Sequence, residues 1–345
     1  MVEELRIRHP SLIPLIDWLT AQADAPVLGS GTAAEQSWQE QQDAARTILR
    51  LADFPPSVFA AWNPPDSPDA PYLAGLIPEP VEHSMIEHDA RVSASSPGLF
   101  EEWQQRDGLR CDIHELHDNS NGRRLEVANV NATSVESRLG TDLVYYHEAT
   151  HSFVLVQYKR LDSRERSIRV DDRLRSQMER LDSVAKRSSA PVRPGDWRLG
   201  RDPCFLKLAY WPEKHSPSQE LTPGMYLPLS YVHLLLADEC TRGRGDARIL
   251  SYERVGRHIV GTQFIELVKH GLVGTVGTTV EQLRSLGTQR IEEGYSVVMA
   301  AERSSETPRE RQQRARSRSS RKKTHVHRSF HQQTLFETEE SDNEG

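Results

Sequence analysis

The chain has 345 residues, 37% of them hydrophobic and 27% charged, enough apolar material for one sizeable domain or two modest ones. It has no run of about 18 apolar residues and lacks the basic and then apolar segments of a secretory signal, so we expect neither a membrane span nor secretion. The three cysteines, Cys111, Cys204 and Cys240, have no paired spacing. They exclude a cysteine-based zinc site and predict free thiols in a reducing, cytoplasmic environment.

The formal net charge of -7 argues against a protein covered with nucleic-acid-binding surface. The charge is unevenly distributed, however, because residues 159–187 hold ten Lys or Arg against six Asp or Glu. Such a segment is typical of a protein that contacts a polyanion with one face. It is equally typical of an exposed helix with mixed charges, and composition leaves both interpretations open.

Residues 1–97 are predicted to form a helical and proline-rich N-terminal region. Apolar residues between Leu12 and Leu19 fit one amphipathic helix, and residues 34–51 fit a second, more polar one. Eight prolines follow between residues 55 and 80. Proline lacks a backbone N–H and has a fixed φ, so this density precludes regular structure there.

Residues 98–212 have the pattern of an α/β core. After a turn-rich stretch at 118–122 come segments rich in β-branched and aromatic residues, and Asp171 and Asp172 can cap an amphipathic helix. The predicted elements are, in chain order, a helix at 100–106, strands at 124–130, 143–147 and 152–158, a helix at 172–187 and a strand at 204–210.

Residues 213–303 follow a helical pattern again, with helices predicted at 230–239, 252–259, 263–269 and 279–302. The remaining segment, 304–345, has few apolar residues and changes from an Arg/Ser run to an acidic end. A segment of this composition cannot bury a core, so we expect a disordered tail.

Three side chains are predicted to meet on the two central strands. Successive side chains of a strand alternate between faces, so Gln157 and Lys159 point the same way. A hairpin that turns at 148–151 would place Asp142 beside them. A carboxylate can hold a hard cation that polarises a phosphate and activates water, and a lysine can offset the developing charge.

The order Gly140-Thr141-Asp142 followed by Gln157-Tyr158-Lys159, on neighbouring strands, resembles the PD-(D/E)xK nuclease superfamily, which includes restriction endonucleases and Holliday-junction resolvases. The resemblance covers residues 98–212. It implies an α/β (α+β) fold with a restriction-endonuclease-like αβββαβ core between helical N- and C-terminal regions. It also implies phosphodiester hydrolysis in DNA, Mg²⁺ (or Mn²⁺) as cofactor, and a homodimer as the cutting unit, in a setting such as restriction or defence.

By this resemblance, Asp142 is the metal-binding aspartate, Gln157 occupies the second acidic position and Lys159 is the motif lysine. Glu136 is a further expected metal ligand, with Glu101 and Glu102 as alternatives on the first helix. The chain departs from the pattern at Gln157, because an amide oxygen is an uncharged and weaker ligand than a carboxylate. Thr141 in place of the motif proline is a lesser departure.

A second motif overlaps the first. His147-Glu148-Ala149-Thr150-His151 matches HExxH, which on a helix places two histidines one turn apart to bind Zn²⁺, with the glutamate as general base. The surrounding residues 143–158 are strand formers whose apolar positions come in two blocks. A hairpin is therefore the expected structure, and in a hairpin the zinc geometry is lost.

Three functions remain open at this stage. The first is a Mg²⁺-dependent deoxyribonuclease, and the second is an HExxH zinc metallopeptidase. The third is a catalytically inactive nucleic-acid-binding module with a nuclease fold, an interpretation that Gln157 motivates. DNA is the expected partner in the first and third, and the helical ends are candidate docking regions for a protein partner.

Overall fold

The computed structural model describes residues 2–23, 28, 31–77, 90–93, 99–100, 103, 109–118, 122–134, 141–162, 164–211, 221–303, 310 and 313. Residues 1–305 form one compact unit, and residues 306–345 form a second. Apart from positions 310 and 313, which are helical, the predicted disordered tail at 304–345 lies outside the described residues.

The first unit is a mixed α/β structure in which helices flank a sheet. The helices are α1 (Val2–Arg8), α2 (Ile13–Ala23), α3 (Ala33–Leu51), α4 (Asp172–Ala185), α5 (Leu229–Ala237), α6 (Gly261–Lys269) and α7 (Val280–Glu292). The strands are β1 (Ala90–Ser93), β2 (Arg110–Asp118), β3 (Arg123–Asn131), β4 (Thr141–His147), β5 (Ser152–Arg160), β6 (Ser167–Val170), β7 (Cys204–Ala209), β8 (Gly224–Pro228), β9 (Arg248–Ser251) and β10 (Ser296–Arg303).

Eight of these strands form one sheet in the order β1-β2-β3-β10-β4-β5-β7-β8, and β6 pairs with β9 separately. The sheet is mixed: β10 runs antiparallel to β3 and parallel to β4, and β5 runs parallel to β7. The helix α4 lies between β5 and β7 in the chain, as a crossover between parallel strands requires. Its first turn is capped by the Asp171 side chain, which accepts a hydrogen bond from Leu174 N.

Both faces of the sheet are covered, which explains why β5 is buried along most of its length. One core contains side chains of β4, β5 and β7 with those of α4, α5 and α7. The opposite core joins alternate residues of the same strands to α3, α6 and the proline-rich segment. Asp142, Gln157 and Lys159 belong to the first of these two faces, since they alternate with residues of the second core.

The largest correction to the predicted elements concerns β10. The sequence predicted one helix at 279–302, but α7 ends at Glu292 and residues 296–303 form a central strand. Gly294 adopts a φ of +87° and the backbone N–H of Tyr295 bonds to Arg290 O, a helix-ending arrangement that glycine favours. The inserted strand separates β3 from β4, so these strands are not neighbours as an uninterrupted αβββαβ order would have them.

Other predicted elements have mixed outcomes. The strands at 143–147 and 152–158 and the helices at 34–51, 172–187, 230–239 and 263–269 are confirmed within a few residues. The helix at 252–259 is wrong, and the strands β1, β2, β6, β8 and β9 were missed. Of the helix at 100–106, only residues 100 and 103 are described. Within the described part of the chain, no helix combines the length and the apolar character needed to cross a membrane.

Candidate functional site

The hairpin of β4 and β5 places the predicted residues as the alternation of side chains required. Asp142 and Gln157 are directly opposite each other in the antiparallel register. Both are fully buried. Lys159, two residues beyond Gln157, is close enough for the Asp142 carboxylate to influence its pKa. The structure therefore brings Asp142, Gln157 and Lys159 together on one face of the sheet.

A residue that the sequence did not indicate completes this cluster. Arg290, in the last turn of α7, donates a hydrogen bond from Nε to Asp142 Oδ2 at 2.6 Å, and both side chains are buried. Its Nη1 donates to Glu293 Oε2 at 2.8 Å, and its guanidinium lies 3.9 Å from the centre of the Tyr295 ring. Arg180 of α4 lies 3.4 Å from the same Glu293 carboxylate. Charged groups from β4, α4 and α7 thus form one connected network.

Burial and neighbouring opposite charges shift the pKa values of Asp142, Arg290 and Lys159 in opposite directions. Burial raises the pKa of Asp142, and the charge and hydrogen bond of Arg290 oppose that rise. Burial alone would lower the pKa of Arg290, but the neighbouring Asp142 carboxylate outweighs it and the pKa is raised. The Arg290 guanidinium therefore stays charged. Burial lowers the pKa of Lys159, and Asp142 and Glu40 counteract only part of that effect.

Several polar atoms around the pair have no hydrogen-bond partner among the described residues. They are Asp142 Oδ1, both amide atoms of Gln157, Arg290 Nη2 and the hydroxyl of Tyr295. Burial raises the pKa of Tyr295, and the Gln157 amide is near enough to lower it in part, although no hydrogen bond of ordinary geometry joins them. Buried orphan atoms of this kind are uncommon away from functional or strained positions.

The residues present fit a divalent cation poorly. Mg²⁺ prefers several hard oxygen ligands, usually carboxylates with water, whereas the cluster supplies one carboxylate and one amide. The negative charge of the Asp142 carboxylate is already balanced by the Arg290 guanidinium, and Lys159 adds a second positive charge nearby. Within the part of the chain that the structure describes, no group of three or more His, Cys, Asp or Glu could hold a metal ion. Glu136, Glu101 and Glu102, the other expected ligands, lie outside the described residues.

The HExxH residues lie at the tip of the same hairpin and are not helical as a unit. His147 ends β4, residues 148–150 form a single 3-10 turn, and His151 adopts a left-handed φ of +45°. His147 Nδ1 is 2.9 Å from Thr150 Oγ1, and its Nε2 is 3.8 Å from Glu302 Oε1. The one-turn spacing that zinc requires is absent, so the motif match carries no zinc site here.

A second buried ionic group lies on the opposite face of the sheet, and the sequence did not indicate it. Lys207 of β7 pairs with Asp43 of α3, and both side chains are buried. The hydroxyl of Tyr158 donates to Asp43 Oδ2 at 2.9 Å, and Thr222 N donates to Oδ1 at 2.6 Å. Burial alone would lower the pKa of Lys207, but Asp43 outweighs it and raises the pKa. This group is enclosed by packed side chains and is a structural tie between α3 and the sheet.

The stretch from Arg164 through α4 to Arg201 has an excess of positive charge. Between Arg164 and Arg201 there are eleven Lys or Arg against six Asp or Glu. Exposed cations in this stretch are Arg164, Arg166, Arg169, Arg173, Arg175, Lys186, Arg193 and Arg201. We call this stretch the basic segment (164–201). It contrasts with the negative charge of the whole chain.

Comparison of the chain with protein-family models, curated proteins and solved structures found no match.

Proposed function

We propose that this chain is a nucleic-acid-binding protein with a nuclease-like hairpin in which Arg290 takes the place that a catalytic cation would need. The observation that carries the proposal is the buried pair between Arg290 Nε and Asp142 Oδ2 at 2.6 Å. A guanidinium and a divalent cation compete for the same carboxylate. Opening the pair would separate two buried charges and leave the Asp142 carboxylate without this counterion, which costs several kcal/mol, on the order of 3–5.

The binding partner is inferred from the basic segment (164–201). Arginine supplies planar, always-charged donors that suit phosphate oxygens. Exposed cations concentrated in one segment of a chain with a net charge of -7 give a local positive potential that attracts a polyanion. The rest of the chain stays negative and does not favour such binding. The expected interaction is with the phosphate backbone, so it should be sensitive to salt and largely independent of sequence.

A second candidate is metal-dependent phosphodiester hydrolysis, and one specific observation favours it. Asp142 Oδ1 and Gln157 Oε1 are buried, lie on directly opposed residues and have no hydrogen-bond partner among the described residues. Both are the oxygen type of ligand that a hard cation takes, but two of them are fewer than it usually needs, so water or the substrate phosphate would have to supply the rest. This candidate requires Arg290 to leave Asp142, a requirement that the first proposal does not have.

One experiment separates the two. Full-length protein is incubated with labelled single-stranded DNA, duplex DNA and single-stranded RNA in EDTA, in Mg²⁺ and in Mn²⁺, and both binding and cleavage are followed. We expect binding in all three buffers, weakening steeply as salt rises, and no cleavage. Metal-dependent cleavage that is lost in Lys159→Ala would overturn the first candidate and support the second. Failure to bind any DNA or RNA at low salt would refute both.

Matched variants test the basic segment directly. Arg175→Gln and Lys186→Gln remove exposed cations within it, and Arg257→Gln removes an exposed cation elsewhere. We expect each of the first two substitutions to reduce the slope of log affinity against log salt concentration by up to about one, the value for one lost phosphate contact. Arg257→Gln should leave the slope unchanged. Equal effects of all three would show that net charge, and not this segment, governs binding.

A further inference from the structure

A pocket of about 620 Å³ lies between the end of the basic segment and the loop before α7. Its walls come from residues 185–201 on one side and from Gly274 and Val276 on the other. A volume of this size is within the range of small-molecule sites in proteins, roughly 300–1,000 Å³. The pocket is separate from the Asp142–Arg290 pair, since it borders the tip of the β4–β5 hairpin and not its open end.

The two walls are held together before any ligand arrives. Ser189 N donates to Val276 O at 3.0 Å, and Leu199 N donates to Leu272 O at 2.8 Å. Val276 N in turn donates to the hydroxyl of Ser188 at 2.9 Å. Gly274 adopts a φ of +115° that brings its wall against Phe153 of the hairpin. A preformed pocket binds with little loss of conformational entropy.

The lining combines an exposed aromatic ring with positive charge. Trp197 is 56% exposed, although tryptophan is a side chain that proteins normally bury. Arg201 is exposed, and Arg198 has a buried Nε without a hydrogen-bond partner among the described residues. Asp196 is the one carboxylate among the lining residues. The lining therefore carries a net positive charge next to an exposed tryptophan side chain.

We propose that this pocket takes one unstacked nucleobase of a single-stranded nucleic acid, with the base on the Trp197 indole and the adjoining phosphate at Arg201. The inference deepens the proposed function and rests on it. Aromatic side chains hold bases of any identity because every base has a π face, and arginine supplies the phosphate contact. A base inside a duplex keeps both faces covered by its neighbours, so the pocket selects a single strand.

The tryptophan distribution gives a direct measurement. The chain has six tryptophans, and the other five, Trp18, Trp38, Trp62, Trp103 and Trp211, are buried. Fluorescence that acrylamide can quench therefore comes mainly from Trp197. Full-length protein is titrated with an oligothymidylate of roughly ten nucleotides, a length in the range of known single-strand sites. We expect binding to protect this fluorescence from acrylamide, and a duplex of equal length to leave it quenchable.

Three variants complete the test, with affinities measured for the oligothymidylate and for the duplex. Trp197→Ala should weaken oligothymidylate binding by roughly 5- to 100-fold, the usual effect of removing one stacking ring, while Trp197→Phe should retain most of it. Arg201→Gln should weaken oligothymidylate binding more than the control Arg175→Gln, which removes an exposed cation outside the pocket. Duplex binding should change by less than about twofold for Trp197→Ala, since no base is unstacked.

The outcomes separate this inference from the proposed function. If the oligothymidylate binds in a salt-dependent manner but Trp197→Ala binds it equally well and acrylamide still quenches Trp197 in the complex, the pocket assignment is wrong and nucleic-acid binding stands. If neither DNA nor RNA binds at low salt, the proposed function is wrong, and the pocket assignment, which rests on it, is wrong as well. Protection of Trp197 by the single strand, lost in the presence of high salt, supports both.

Discussion

Arg290 Nε and Asp142 Oδ2 lie 2.6 Å apart in the core, where 1% of the arginine side chain and none of the aspartate side chain is exposed. The two residues are 148 positions apart in the chain. Asp142 comes from β4 and Arg290 from the last turn of α7, so the pair ties a central strand to the helix that covers it. A buried pair of this kind is costly to break by removing only one partner.

Removing either partner alone should therefore destabilise the protein. We expect Asp142→Leu or Arg290→Met to lower the free energy of unfolding by about 3–5 kcal/mol, because each removes the closest counterion of a buried charge. The double variant should recover most of that loss, since neither buried charge of the pair remains and Glu293 keeps Arg180. Urea unfolding of the four proteins measures the coupling. A double variant as unstable as the sum of the single ones would mean that the pair contributes little.

Gly274 should not tolerate a side chain. An added Cβ would lie 2.5 Å from Ser152 Oγ and 3.1 Å from Phe153 O, at a φ of +115° that L-residues avoid. We expect Gly274→Ala to cost about 2 kcal/mol of stability. Gly195, in the opposite wall segment, has no atom within 4 Å of the place that a Cβ would take, and its φ is outside the left-handed region. Gly195→Ala should leave stability nearly unchanged. Thermal unfolding of both variants makes the comparison, and an equal loss of stability for the two would contradict the steric explanation.

The ionic group on the other face makes a parallel prediction. Lys207→Met would leave the Asp43 carboxylate buried with the Tyr158 hydroxyl and Thr222 N–H as its remaining partners among the described residues. We expect a loss of about 3–5 kcal/mol in the free energy of unfolding. Lys186→Met, which changes an exposed lysine, should shift it by less than about 0.5 kcal/mol. The comparison is made by urea unfolding at neutral pH.

Lys159 should make stability depend on pH in a defined direction. Its pKa is lowered by burial from an ordinary value of 10.5, so the folded state binds the Lys159 proton less tightly than the unfolded state does. This penalty is full below the folded-state pKa and disappears above 10.5, so stability rises with pH between these limits. The stability of Lys159→Met relative to wild type should therefore be lowest at alkaline pH, where the wild-type protein no longer has the penalty of a buried charged lysine. A stability difference that does not vary with pH would rule out this assignment.

The sequence predicted the β4–β5 hairpin and the shared face of its key residues. These are local properties: β-branched and aromatic residues favour strands, and side chains of a strand alternate between faces. The same reasoning failed at residues 296–303, where Met299, Ala300, Ala301 and Glu302 are helix formers by local preference but form a central strand. The signal that could have found this strand is Gly294, which follows α7 and precedes the adjacent valines Val297 and Val298.

Local pattern determined which residues form the hairpin and which of them face the same way, because the period of a strand is fixed by the backbone. It could not determine what meets that face. The position of Arg290 depends on where α7 ends and on how it packs over the sheet, and the position of β10 depends on pairing with strands more than 150 residues earlier in the chain. Such contacts result from burial and hydrogen bonding across the whole sheet, so only the tertiary structure placed a guanidinium on the carboxylate that the sequence had marked for a metal.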